Sequence, residues 1–376
     1  MKKAVVLLVS TAMGFLFCEA ATRLLADRVL GLSHPAVRFD PALGWVQRAG
    51  ETGVRKNEAG VEVAIVGSPL GIRQPPRPYE TEGRDTILVM GDSFTAGTQV
   101  PFEETWPARM EAELRRGHKA LQVVNAGVDR YDLAQQYRLA ERLSRRFRPI
   151  GIVVAVYLGN DLADYDRAAG ARRPWEPGGI APWIREHSYL YHFVAGALAP
   201  PRHVAQEEPS PVEGWSPRSV EGFQQMRPDQ QARVRGQFAA GDVLAVWRGG
   251  GEAERRLASA ERVLDGFVAL TGAVHLTVVL LPMKQEVIAP QRAEMLALHR
   301  LSEDDLARPR THLRDWAARR GVAAVDLWPV LSAHPHPTEL YWAVDSHMTP
   351  AGHALVAETV APLTPGIGSA SPTSSR

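Results

Sequence analysis

The sequence predicts an α/β domain built on a mostly parallel sheet with helices on both faces. Three observations predict it. Short apolar runs alternate with segments of helical period, the alternation resumes after a long interruption, and reactive polar residues recur directly after the apolar runs. A continuous apolar run bounded by Gly and polar residues suits a strand buried on both faces, as parallel strands are.

The elements follow in order. "MKKAVVLLVSTAMGFLFCEAATRLL" opens with Lys2 and Lys3 and then runs apolar from Ala4 to Cys18. That is a basic region followed by a hydrophobic one, so residues 1–30 read as a signal peptide or membrane anchor. No small-x-small cleavage site follows, and Phe15-Leu16-Phe17 before Cys18 argues against a lipoprotein site. An anchor with the lysines cytoplasmic is favoured, and the remainder then faces the periplasm or cell exterior. The alternative is a cleaved signal and a secreted protein. Residues 31–80, rich in Gly and Pro with extended pieces such as "VEVAIVG", read as an irregular preface.

The core is expected at 81–165 and 256–362. "DTILVMG" is its first strand. "TWPARMEAELRRG" is a helix with Trp106, Met110 and Leu114 on one face, Pro107 in its first turn and Gly117 at its end. "LQVVNAG" is a second strand, and the next helix turns Leu133, Tyr137, Ala140 and Leu143 inward. "GIVVAVYLGND" is a third strand. Residues 166–255 break the rhythm with many Pro, Gly and Arg and one helical candidate, "REHSYLYHFVAGAL", and read as an insertion. The rhythm returns with "AERRLASAERVLDGFVALTG", "AVHLTVVLLP", "THLRDWAARRG" and "VAAVDL". A last helix follows, capped by Thr349 with Pro350 at its first position. The tail, 363–376, is low in apolar residues and expected to be disordered.

Composition narrows the function. The chain has 376 residues, 45% hydrophobic and 23% charged, enough for a large core. Lys and Arg number 43 against 42 acidic residues, and without a basic stripe nothing calls for a nucleic-acid partner. A single cysteine, Cys18, excludes an intramolecular disulfide and a cysteine metal cluster. His334 and His336 have only Glu339 close behind and read as loop histidines, so no metal site is expected. His353 reads as a surface or packing residue. Trp175, Trp183 and Trp215 suit either sugar stacking or the packing of the insertion.

In open α/β sheets the site lies outside the carboxyl ends of the strands. Ser93 follows the first strand, Asn125 to Arg130 the second and Asn160 the third, while Asp345 and His347 precede the last helix. A serine hydroxyl is a weak nucleophile and needs a neighbouring base that is itself held in place. His347 fits as that base and Asp345 as the group fixing its tautomer. Acyl transfer also needs donors at the developing oxyanion, each contributing roughly 2.7–4 kcal/mol. Asn160, the Ser93 N–H and an N–H from the "NAGVDRYD" loop are candidates. Singly, Gly-Asp-Ser and Asp-x-His are ordinary turn chemistry, with Asp92 ordering its turn. Their order and strand-end placement favour catalysis.

Gly91-Asp92-Ser93, the loop at 125–131, Gly159-Asn160-Asp161 and Asp345-Ser346-His347 resemble, in that order, the blocks of the SGNH (GDSL-type) hydrolases. The resemblance implies a flavodoxin-like three-layer α/β/α fold and esterase or lipase activity without cofactor or metal. It makes Ser93 the nucleophile, His347 the base and Asp345 its partner. The Ser93 and Arg130 N–H groups and Asn160 would form the oxyanion hole, supported by Asp92 and Asp161. "CEAATRLL", "RFDPALGW" and "SPLGIR" look like the preface of anchored members. Three positions depart from the pattern. Arg130 and Leu158 stand where Gly is usual, and Asp345 precedes His347 by two residues rather than three, a spacing similar to that of some polysaccharide acetyl-transferring relatives.

The function expected is that of an exported serine esterase acting on an acyl ester, O-acetyl favoured, of an envelope or extracellular glycan. A lipid ester is the other substrate class. Two alternatives stand beside it: an O-acetyltransferase using the same residues, and a non-catalytic glycan-binding or scaffold protein whose oxyanion hole Arg130 has spoiled.

Overall fold

A computed structural model describes residues 2–25, 36–162, 180–198, 242–271, 275–343 and 345–364. The chain begins with helix α1 (Lys2–Leu24). Two hairpins follow, β1 (Val37–Asp40) with β2 (Gly44–Gln47) and β3 (Thr52–Lys56) with β4 (Glu62–Val66). The core opens with β5 (Asp85–Gly91), α2 (Ser93–Ala96), α3 (Trp106–Leu114), β6 (Leu121–Gly127), α4 (Leu133–Phe147) and β7 (Gly151–Tyr157). After α5 (Ile180–His187), α6 (Tyr189–Leu198), α7 (Asp242–Arg248) and α8 (Gly250–Thr271) come β8 (His275–Leu281), α9 (Lys284–Val287) and α10 (Ala289–His299). The chain closes with α11 (Glu303–Arg320), β9 (Ala323–Asp326), α12 (Trp328–Ser332) and α13 (Pro350–Val360).

The central sheet has five parallel strands in the order β6-β5-β7-β8-β9. The chain moves from β5 to one side and then returns to the other, so the order reverses beside the end of β5. Alternate residues face opposite layers. Leu88, Met90, Val154 and Leu280 pack under α4, α8 and α11 through Tyr137, Phe267 and Trp316. Ile87, Val89, Val153 and Val279 pack under α3, α10 and α13 through Trp106, Met295 and Val356. This is the three-layer α/β/α arrangement expected.

Local chemistry sets the helix ends. Asp132 and Gln135 form a capping box on α4, and Leu133, Tyr137, Ala140 and Leu143 are buried as their spacing predicts. Thr349 caps α13 by accepting from the Gly352 N–H. Ser302 and Asp305 cap α11, which therefore starts eight residues before the "THLRDWAARRG" segment and carries Pro309 within it. The segment that forms α9 and α10 did not stand out in the sequence. Its apolar residues do not form one clear inward face, and among the residues of α10 only Met295 is buried.

The preface is more ordered than expected: it forms two hairpins, with β4 in the extended piece "VEVAIVG", while β3 is almost wholly exposed and shows no apolar alternation. Leu43, Val46 and Ile72 are nevertheless part of the main core. The insertion also ends earlier than expected, because Val246 and Trp247 on α7 are fully buried. The helical candidate in the insertion is two helices, α5 and α6, parted at Ser188. Trp183 is on α5, 55% exposed and stacked on His187. Trp175, Trp215, and the tail beyond residue 364 lie outside the described residues. α1 is long and apolar enough to cross a membrane and has no buried residue.

Candidate active site

The site is assembled at the carboxyl ends of β5, β6 and β7. Gly91 ends β5, and a Cβ there would fall 2.0 Å from Thr95 Oγ1; at Gly127, ending β6, one would fall 2.2 Å from the Ala96 amide nitrogen. Both glycines therefore let the first turn of α2 settle onto the strand ends. Asp92 caps that turn, its carboxylate accepting from the Phe94 N–H at 2.9 Å. Asn125 braces it from β6 by donating to Thr95 O at 2.9 Å. Ser93, at the start of α2, is left half-buried with its hydroxyl free to reach out.

His347 Nε2 lies 2.7 Å from Ser93 Oγ. Its Nδ1 is hydrogen-bonded to Asp345 Oδ1, which also accepts the His347 N–H at 3.0 Å. With Nδ1–H held by the carboxylate, Nε2 carries the lone pair that faces the serine hydroxyl. Burial pulls the imidazole pKa down, but Asp345 outweighs it and the net shift is upward. Asp345 itself stays well below the usual carboxylate range: burial opposes its charge, and His347 overcomes that. The Phe94 ring lies 4.7 Å from the His347 ring and stacks on Tyr157 at 4.0 Å, fixing the imidazole from one side.

Asn160, exposed after β7, donates to Asp92 Oδ2 at a long 3.4 Å, which leaves its second amide hydrogen for another acceptor. Asp92 is fully buried and burial pushes it up to about 6. Asp161 is fully buried as well, and burial lifts it well above the carboxylate range. It accepts from the Tyr157 N–H at 2.9 Å and from Gln136 at 3.1 Å, so it shapes the loop that carries Asn160. Arg130 is exposed with φ 64°, a left-handed backbone that explains why Gly is usual at this position. Leu158 is fully buried in the core. His353 is a packing residue: it accepts from the Trp106 N–H at 3.2 Å, and burial lowers its pKa to about 3. Among the described residues no group of three His, Cys, Asp or Glu side chains is disposed to hold a metal.

Several residues that serve this site were not singled out in the sequence. Glu58, in the turn between β3 and β4, accepts from the Ala343 N–H at 2.8 Å and from the Asp345 N–H. Lys284 donates to Trp342 O and Ala343 O at 2.7 Å each, and burial lowers its pKa to about 8. Arg73, fully buried, donates to the carbonyls of Ala96, Gly97 and Val100 at 3.1, 2.7 and 3.0 Å. Asn57 donates to Gln99 O at 3.0 Å. The preface hairpin thus straps the loops that carry Ser93 and Asp345. These residues act on backbone groups distant in sequence, so no local motif marks them.

A serine, a histidine and a carboxylate joined by hydrogen bonds at a strand-end crevice define the class of serine-type hydrolytic sites. Residues 89–355 match the GDSL-like lipase/acylhydrolase family. The chain belongs to that family and is a carboxylic ester hydrolase. No curated protein matches the chain. Among solved structures it is similar to a lipase/acylhydrolase from Enterococcus faecalis, with 12% identity over 74% of this chain and 94% of that one and a TM-score of 0.37. It is also similar to Est24, a carbohydrate acetylesterase from Sinorhizobium meliloti, with 10% identity over 74% and 97% of the two chains and a TM-score of 0.38.

Proposed function

We propose that the protein is a membrane-anchored serine esterase that removes O-acetyl groups from an envelope or extracellular glycan. The observation that carries the catalytic reading is the 2.7 Å contact between Ser93 Oγ and His347 Nε2, with Asp345 on the other ring nitrogen. Ser93 Oγ attacks the acyl carbonyl while His347 takes its proton. The negative charge that develops on the carbonyl oxygen is received by the N–H groups of Ser93 and Arg130 and by the Asn160 amide. His347 then protonates the departing alcohol. Water, activated by the same imidazole, releases the acid from the acyl-serine.

The apolar, exposed α1 supports the anchor and with it an extracytoplasmic substrate. The two-residue Asp345-x-His347 spacing supports glycan acyl chemistry, and it also favours transfer to an acceptor hydroxyl as a second reading. Acetate release from an O-acetylated polysaccharide, measured with and without an added unacetylated oligosaccharide, tests both. Hydrolysis that Ser93→Ala abolishes and that the acceptor leaves unchanged supports the esterase. Acetyl found on the acceptor selects transfer, and turnover confined to long-chain acyl esters rejects the glycan substrate.

A further inference from the structure

We propose that α1, α5 and α6 build a binding site for one anionic phospholipid where the chain leaves the membrane. The site rests on the reading of α1 as a retained, bilayer-crossing helix.

The helical pair α5–α6 is locked to the exit end of α1. Glu19 accepts from Ser188 Oγ at 2.7 Å and from the N–H groups of Tyr189 and Leu190 at 3.0 Å each, capping α6 across the gap. Arg23 donates to His187 O at 2.6 Å and lies over the Tyr189 ring at 4.9 Å. The pair leaves a surface unlike the rest of the fold. Ile180, Trp183 and Ile184 share one face of α5 and are 73%, 55% and 37% exposed, and Tyr191, Phe193 and Val194 are exposed on α6. Ordinary solvent contact does not account for so much apolar area in two short helices, whereas a lipid interface does.

Between α1 and the pair runs an apolar groove of 640 Å³, walled by Phe15 and Leu16 on one side and by Trp183, Ile184, Leu190 and Val194 on the other. That volume is within the ~300–1,000 Å³ of ligand clefts. A second recess of 350 Å³ adjoins it, and the two share Arg23 and His187. Arg23, Arg138, Arg142 and Arg145 line the recess with only Asp40 and Glu141 as acidic lining residues. Arg23, Arg138 and Arg142 are paired with Glu19, Glu141 and Asp40, whereas Arg145 is exposed and forms no ion pair among the described residues.

The order along α1 matches a phospholipid. At 1.5 Å per residue, Arg23 lies about 10 Å beyond Leu16 toward the exit, and the whole helix is about 34 Å long against a hydrocarbon layer of ~30 Å. An acyl chain in the groove at the level of Phe15 and Leu16 therefore places its phosphate at the level of the arginines. A zwitterionic headgroup gains less there, because Arg145 leaves the recess with one positive charge that no carboxylate balances.

Depth-dependent quenching tests the site on the full chain. Cys18→Ser frees the sequence of cysteine, and a fluorophore is attached at Ile180→Cys, exposed on α5 beside the groove but outside its lining, or, as a reference on α1, at Val9→Cys. The protein is reconstituted in phosphatidylcholine vesicles that hold a small fraction of spin-labelled phosphatidylglycerol or spin-labelled phosphatidylcholine. At position 180 the phosphatidylglycerol quencher is expected to act at about one-fifth of the mole fraction needed for phosphatidylcholine, the preference of one arginine for an anionic headgroup. Arg145→Ala should remove that preference, and the Val9 probe should show none. Equal quenching by the two lipids at position 180 overturns the proposal. Quenching at Val9 with none at position 180 also overturns it while leaving the anchor intact. No quenching at either position overturns the anchor and this site together.

Discussion

Glu58→Gln removes one acceptor from the strap that holds Asp345. Glu58 uses one carboxylate oxygen for the Ala343 N–H and the other for the Asp345 N–H. A glutamine keeps one carbonyl oxygen and turns its own N–H₂ toward the second donor, so one charge-assisted bond is lost. Such bonds contribute about 1.5–3 kcal/mol, equivalent to roughly 10- to 100-fold in the population of the held conformation. Lys284 still grips Trp342 O and Ala343 O from the other side, which places the expected loss at the lower end, about tenfold. The loss should fall on kcat with KM little changed, because both Glu58 oxygens are engaged by backbone N–H groups and the substitution acts through the alignment of Asp345 with His347. The assay is p-nitrophenyl acetate hydrolysis across pH, with unfolding curves to show that the variant is folded. The midpoint of the rate should move to lower pH as Asp345 loosens from His347. A folded variant with kcat within about twofold of the parent and an unmoved midpoint would refute the reasoning.

Other outcomes follow from the same geometry. His347 is active as the neutral base, so the rate should fall as pH drops through its pKa, which Asp345 raises above the usual 6.5. Asp345→Asn should reduce kcat about 10³- to 10⁴-fold and shift the residual midpoint downward, measured by pH–rate profiles. Arg130→Gly should raise stability by about 1 kcal/mol in urea unfolding, because it relieves a left-handed backbone at a residue with a Cβ. Arg310 donates to Glu286 at 2.5 Å with Glu286 fully buried. Arg310→Leu should therefore cost about 3–5 kcal/mol at pH 8. The cost should be smaller at pH 5, since burial already lifts the Glu286 pKa to about 7 and the lone carboxyl can take a proton. An equal cost at both pH values would count against the buried pair.

The legible part of the molecule was the part written in local pattern. "DTILVMG", "LQVVNAG" and "GIVVAVY" announce strands because parallel pairing buries both faces, and Ser93, Asn160 and His347 stand out because each lies where a strand or turn delivers it to one crevice. What stayed hidden acts across distance. Glu58 recognises backbone N–H groups 285 and 287 residues away, and the carbonyls that Arg73 holds are themselves featureless in sequence. In the preface the β4 piece was legible as extended, but its partner β3 is almost wholly exposed and has no apolar period from which to read the hairpin. Arg130 was visible as a departure, but its φ of 64° was needed to show that the position demands a left-handed backbone rather than a small side chain alone.

Covalent labelling of the full chain by a fluorophosphonate, followed by intact mass and peptide mapping, tests most directly whether Ser93 is a nucleophile driven by His347. One adduct on Ser93, absent in Ser93→Ala and at least about 10³-fold slower in His347→Ala, is the predicted result. An adduct on another residue, or labelling of Ser93 at an unchanged rate without His347, would contradict it.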